Sequence, residues 1–372
     1  MSRMPLLCIA LLVGCVATAA PPPRSTPADL PVISPETMGH PAVASRYMGS
    51  YIDIQAIQDG IGSGDKKGLS LDLTGIKTLL DGTVVEPNRL YGKLVLGPYP
   101  FQAKDTRFRY KRFRGYAAIK KGRATLPIGL LLKSRYNSDG WKDRGTVAVR
   151  MRLYYEQEGE DRFLGLYDTF VSFKKEGKRI VKLPTIIEGP LVHRVSSDDP
   201  SRLVISVRTD VPTKPRVRLA SGEEYTAATK AQWHEIPITG LKSNQAYRYT
   251  VEVGGIRTAE FRLKTAPKKG ATGFRFGYAG DSRSGMGGGE RSIMAVNHRV
   301  LEGLFSVAYR KNVDLMLFGG DMINGYTSSP IDFRNQLHSF KQAAAGFWNE
   351  RPFYTALGNH EALLRSFKSD NP

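Results

Sequence analysis

VDLMLFGGD, residues 313–321, is a short apolar run that breaks at two glycines and ends on a carboxylate. Such a run, bounded by turn residues, reads as a buried strand. Upstream, GFRFGYAGD (Gly273–Asp281) ends the same way, and downstream PFYTALGN (Pro352–Asn359) ends on an amide. Between the first two, Glu290 to Lys311 has helical spacing, with Ile293, Val296, Val300, Leu304 and Val307 on one side. Phe333 to Trp348 forms a second helix between the last two. Strand, helix, strand, helix, strand implies a parallel sheet with right-handed crossovers.

Parallel strands point their C-termini the same way, so Asp281, Asp321 and Asn359 gather at one sheet edge, where open α/β sheets bind ligands. Two carboxylates and an amide oxygen are hard ligands for divalent cations. Gly280, Gly320 and Gly358 each precede one of them and allow a sharp turn. One strand-end Asp is commonly a helix cap; three strands ending Gly-Asp, Gly-Asp and Gly-Asn-His-Glu, in that order, carry the inference.

The segments GDSRS, GGD and GNHE resemble the first three blocks of the calcineurin-like metallophosphoesterases. The resemblance implies that Asp281 binds one metal, that Asp321 bridges two and that Asn359 binds the second. The pair would be divalent or trivalent ions: iron, zinc or manganese. It makes His360 a catalytic group beside the phosphate rather than a ligand, and the reaction hydrolysis of a phosphate mono- or diester. Arg283 stands where the family's first block has a metal-binding His; a guanidinium cannot ligate a cation, so it is expected to grip a phosphate or phosphonate oxygen or to form a structural salt bridge. Asn324 replaces the iron-binding Tyr of purple acid phosphatases. No histidine follows His360, so the later His ligands of the family are missing. The chain therefore reads as the N-terminal portion of an enzyme, with weak metal binding and little catalysis as it stands. His298 and His338 read as ordinary helix residues.

Ahead of the linker Ala266–Gly270 lies a different pattern. RLVISVRT, PRVRLA, HEIPITGL, AYRYTVEV and AEFRLKT are short alternating strands at sandwich spacing. GLKSNQAYRY (Gly240–Tyr249) resembles the signature of fibronectin type III domains, although Ser243 and Gln245 replace its usual Pro and Thr and the early core Trp is lacking. A sandwich in that position resembles the purple acid phosphatase branch, and Tyr247 is expected to bond back to its own loop. Earlier still, LYGKLVLG, TVAVRMRLYY and FLGLYDTFVSF read as an antiparallel β-domain of no recognised type. The fold class is multidomain: an N-terminal all-β domain (residues 40–185), a fibronectin type III-like β-sandwich (186–267), then the first half of an α/β metallophosphoesterase sandwich (271–372).

The first residues carry an export signal (1–19): Arg3, then an apolar run from Pro5 to Val13 too short to span a bilayer. Leu12-Val-Gly-Cys15 resembles a bacterial lipobox, which would lipidate Cys15 and tether the protein to a membrane; Ala17-Thr-Ala19 offers an ordinary cut instead. A Pro-rich tether (20–39) follows. The two cysteines, Cys8 and Cys15, both lie in the signal, which excludes thiolate zinc sites and cysteine nucleophiles from the exported part. The net charge of +19 lies almost wholly upstream of Ala271, which suits polyanions or an anionic membrane surface. RFRYKRFRGY (Arg107–Tyr116) interleaves aromatics and cations, but a strand puts Phe108 and Tyr110 on one face and Phe113 on the other, so no stacking row for nucleic acid forms. There is no P-loop, and the glycines from Gly285 to Gly289 lack the dinucleotide spacing; they read as a loop over the metal edge. Two functions remain: an exported metal-dependent phosphoesterase, or a non-catalytic envelope binding protein carrying a degenerate phosphoesterase domain.

Overall fold

The computed structural model describes residues 48–97, 114–133, 145–270, 273–283 and 292–366. Cys15, the tether, Gly285–Gly289 and residues 107–113 lie outside them. The first body runs through α1 (Ile54–Asp59), β1 (Ile61–Gly62), β2 (Leu69–Asp72), β3 (Leu90–Gly97), β4 (Arg114–Ile119), β5 (Arg123–Leu126), α2 (Ile128–Leu131), β6 (Thr146–Gln157), β7 (Glu160–Glu176) and β8 (Arg179–Leu183). An antiparallel sheet of order β4-β3-β6-β7-β8 packs with a small sheet of order β1-β2-β5. Period-two patterning makes one face of each strand apolar, and Leu94, Met151, Leu153 and Val171 are fully buried between the layers. Buried Tyr167 donates to Leu164 O at 2.7 Å and accepts from the N–H groups of Tyr51 and Ile52, so its polar end is satisfied.

The second body is a two-sheet sandwich. Its strands are β9 (Ile186–His193), β10 (Leu203–Thr213), β11 (Arg216–Leu219), β12 (Glu224–Thr226), β13 (Ala231–Ile238), β14 (Ala246–Val253), β15 (Ile256–Arg257) and β16 (Phe261–Lys264). One sheet has the order β13-β10-β9; in the other β12, β11 and β14 run in order, with β15 and β16 both on β14. Ile205, Val207 and Ile236 from the first meet Val217, Val251 and Leu263 from the second. The Tyr247 hydroxyl accepts the N–H of Lys242 at 2.7 Å, the local bond its position leads one to expect.

The third body consists of β17 (Phe276–Ala279), α3 (His298–Arg310), β18 (Leu315–Phe318), α4 (Pro330–Trp348), β19 (Phe353–Thr355) and α5 (Asn359–Ser366). Its three strands are parallel and in sequence order, with Phe276 opposite Leu315 and Met316 opposite Phe353. Helices α3 and α4 cover one face, where Phe318 meets Phe340 edge-on at 5.0 Å and Phe353 stacks on Trp348 at 4.6 Å. Burying each such ring contributes about 1.5–3 kcal/mol. The other face leaves Phe276, Tyr278, Leu317 and Tyr354 exposed, although parallel sheets ordinarily bury both faces.

One helix starts later than its spacing predicts. Ile293 and Val296 close a turn on each other at 3.1 and 3.2 Å, and Met294 and Ala295 adopt positive φ. This turn resets the phase before α3 begins at His298. The buried face is therefore Leu301, Phe305 and Ala308, and Val300 is 52 % exposed.

Helix α4 binds the three bodies together. Ser329 caps it and Pro330 opens its first turn, both favoured there. Its Asp332 accepts from Ser50 Oγ at 2.6 Å, and Asn335 donates to Ile52 O at 2.9 Å. His338 and Lys341 reach Glu188 on β9 at 3.0 and 2.9 Å, and Trp348 Nε1 donates to Val192 O. Gln336 accepts from Gly325 N at 3.0 Å, which ties the same helix to the loop after β18. His338 is thus buried and structural.

Candidate metal centre at the strand ends

The backbone builds this site before any side chain does. Asp281 and Asp321 follow β17 and β18 in the left-handed conformation, φ 55° and 52°. Asp tolerates that region better than most residues because its short side chain can bond locally, and such backbone is concentrated at functional sites. The two turns are stitched together: Asp281 N donates to Gly320 O at 3.1 Å, and Ser282 N to Asp321 O at 2.9 Å. The third turn docks on the second. A Cβ on Gly358 would come within 2.2 Å of Asp321 Oδ1, and one on Gly320 within 2.5 Å of Gly358 N. Only glycine allows that approach.

Glu361 locks this arrangement. From the first turn of α5 its carboxylate accepts the N–H groups of Asp321 (2.9 Å), Met322 (2.8 Å) and Gly358 (2.7 Å). The bond back to Gly358 is the reciprocal half of a capping box; the other two join the second and third sequence blocks.

Side chains then converge on Asp321. Its Oδ1 accepts from His360 N at 3.1 Å. The amide of Asn359 has its donor end 3.2 and 3.3 Å from the two Oδ atoms when turned one way; turned the other way, its carbonyl oxygen joins the carboxylate as a pair of cation ligands. Arg283 Nε lies 3.7 Å from Asp321 Oδ2. The His360 ring is buried, Nδ1 against Asn324 O at 2.5 Å, with Tyr326 edge-on at 5.2 Å. A carbonyl only accepts, so Nδ1 carries the proton and Nε2 faces Asp321 Oδ2 at 4.0 Å.

Four of the expected residues, Arg283, Asp321, Asn359 and His360, therefore form one contact cluster. Asp281 stands at the same edge with its side chain exposed. Arg283 takes the salt bridge, the second of its two expected roles, in this structure. Among the described residues no three His, Cys, Asp or Glu side chains stand close enough together to hold a metal ion. Asp321 and the turned amide of Asn359 present oxygens to one point, the hard donors that a divalent cation takes, and Arg283 stands against Asp321 Oδ2 there. Sequence reasoning missed Glu361 and Asn324. For Glu361 a signal existed, its place three residues after Gly358; Asn324 acts through its backbone carbonyl, which no residue type announces.

No protein-family model matches the sequence, and no curated protein matches it either. Among solved structures, a purple acid phosphatase from yellow lupin (Lupinus luteus) seeds is similar at 12% identity and TM-score 0.39, over 80% of this chain and 54% of that one. PhoD is similar at 14% identity and TM-score 0.34, over 46% of this chain and 38% of that one. The FN1–FN3 domains of chicken CNTN1 are similar at 13% identity and TM-score 0.19, over 58% and 67% of the two chains. The chain spans about half the length of the lupin phosphatase. At TM-scores this low, the chemistry rests on the chain's own residues.

Proposed function

We propose that this chain carries part of a metal-dependent phosphoesterase centre, for phosphate mono- or diesters. The observation that supports it most is the junction of three strand ends, where the amide of Asn359 and the carboxylate of Asp321 face one another and His360 closes the floor. Asp321 and Asn359 would hold the cation, with Asp281 beside them. A divalent ion bound there supplies a polarised phosphoryl oxygen and a water acidified towards neutral pH. His360 is preset for its part: Nδ1–H is held by Asn324 O, so Nε2 is the atom that would take up a proton and, as imidazolium, pass it to a leaving oxygen. Arg283, partly exposed, can swing from Asp321 to a phosphate oxygen, a match to its fork of donors. The exposed apolar face of the parallel sheet is the surface that a second layer of such a domain would cover. Export, with Cys15 as a lipid anchor in the cell envelope, belongs to the same reading.

The Arg283–Asp321 pair also favours a second reading, in which a fixed cation has replaced a metal and the protein binds without catalysis. One experiment separates the two. The full chain is titrated with Mn²⁺ and Zn²⁺ by calorimetry and assayed on a chromogenic phosphate monoester and diester, beside Asp321→Ala. Metal binding and hydrolysis that vanish in the variant support the phosphoesterase. Because part of a centre is expected to turn over little, the deciding arm is the titration: absence of metal binding in the unmodified chain sinks the phosphoesterase reading, whatever the assay shows.

A further inference from the structure

A second cleft lies away from the strand ends, where the outer face of the β13-β10-β9 sheet meets α4. It is a half-open cleft of about 310 Å³, within the range of small-molecule sites, and it sits at a junction between bodies, where such sites concentrate. Its floor is the buried carboxylate of Glu188, which takes Arg208 Nη1 at 3.0 Å and Lys341 Nζ at 2.9 Å. Two full cations thus share one carboxylate. Glu235, further out, is already paired with Arg194 at 3.5 Å. Arg208 Nε is buried and has no partner among the described residues.

Trp233 forms the open side. Arg208 Cζ and Lys341 Nζ lie 4.9 and 4.8 Å from its ring centre, which fixes the indole against the cations. It is nevertheless 54 % exposed, so part of the indole stays open to the cleft it lines. Opposite, His193 Nε2 and Ser206 Oγ bond to each other at 2.7 Å and offer neutral polar contacts.

We infer that this cleft binds a small organic oxyanion, a carboxylate or a phosphate monoester, whose flat or apolar body rests on Trp233. The spare positive charge, shared by Arg208 and Lys341, takes the anion; the indole takes the body.

The test is calorimetry on the full chain stripped of metal ions on a chelating resin, which keeps cations off the strand-end site without adding a competing carboxylate, so that its outcome is independent of the phosphoesterase reading. Benzoate and phenyl phosphate are the probes; phenol and inorganic phosphate are the controls for charge and body. Saturable binding of either probe, at least roughly tenfold tighter than both controls, is expected, and which probe wins identifies the oxyanion. Lys341→Gln should weaken it by roughly tenfold or more, the loss of one charge-assisted bond. Trp233→Leu, at a half-exposed position, should weaken it in a variant that still unfolds in one cooperative transition. No saturable binding, equal binding of phenol, or unchanged affinity in Trp233→Leu would each overturn the proposal.

Discussion

Glu361 accepts the backbone N–H of Asp321 at 2.9 Å, so a side chain of the third block sets the conformation of the residue at the centre of the second. The same carboxylate takes Met322 and Gly358. Glu361→Gln turns one acceptor into a donor facing N–H groups. It should lower stability by about 2–3 kcal/mol, as expected for breaking bonds to a charged acceptor. Urea denaturation measures this, and the loss should be accompanied by weaker metal binding. A variant as stable as the parent would remove Glu361 from its organising role.

Gly358 has no room for a methyl group, because its Cβ would lie 2.2 Å from Asp321 Oδ1. Gly358→Ala should therefore push α5 off the β18 turn and cost about 1–3 kcal/mol, the range for forced overpacking. Gly303 in α3 has open space at its Cβ, and Gly303→Ala should instead stabilise by up to about 1 kcal/mol through helix propensity. Thermal melts of the two alanine variants should move in opposite directions.

Arg283 pairs with Asp321 at the position where a metal ligand would stand. Arg283→His removes that fixed cation and offers an imidazole, a good partner for a divalent ion. Affinity for Mn²⁺ or Zn²⁺ should rise by at least about tenfold, comparable to the effects of ordinary ligand-shell changes. A titration in which the variant binds no better than the parent would show that the site lacks other ligands to complete the shell.

His193 makes stability depend on pH. Burial, opposed by Glu235 and reinforced by Lys341 and Arg194, holds its pKa down to about 4 from 6.5. Between those values the unfolded chain binds the proton and the folded chain does not. Its contribution is thus complete above pH 6.5 and is lost as pH falls towards 4, by about 3 kcal/mol at most. Denaturation of the parent and of His193→Gln at pH 7.5 and pH 4.5 should show a steeper loss in the parent. Parallel losses would contradict this assignment.

Burial of Glu188 would by itself raise its carboxyl, yet Lys341, His338 and Arg208 together hold it far below the usual carboxylate range. Removing the charge strands two cations. Glu188→Gln should cost about 3–5 kcal/mol, the range for breaking a buried pair, and loosen α4 from β9. Hydrogen exchange along α4 gives the local readout; unchanged protection there would rule the network out as the strut between the two.

The sequence by itself determined the local order of elements and the sheet edge that matters. Three strands ending on Gly-Asp, Gly-Asp and Gly-Asn-His-Glu read plainly, because strand periodicity and terminal glycines are local properties. The spacing counted from Ile293 misplaced the apolar face of α3, because a turn with two positive φ values lies between that residue and the helix and no residue type there announces it. Tertiary structure alone decided the contacts that cross the chain. That Glu361 serves Asp321, that Asn324 presents its carbonyl to His360, and that Glu188 on a sandwich strand collects cations from β10 and α4 are facts of distance between segments far apart in sequence. Hydrogen bonds of that kind depend on where the backbone is carried by packing, and packing is settled by the sum of all the buried faces rather than by any one stretch.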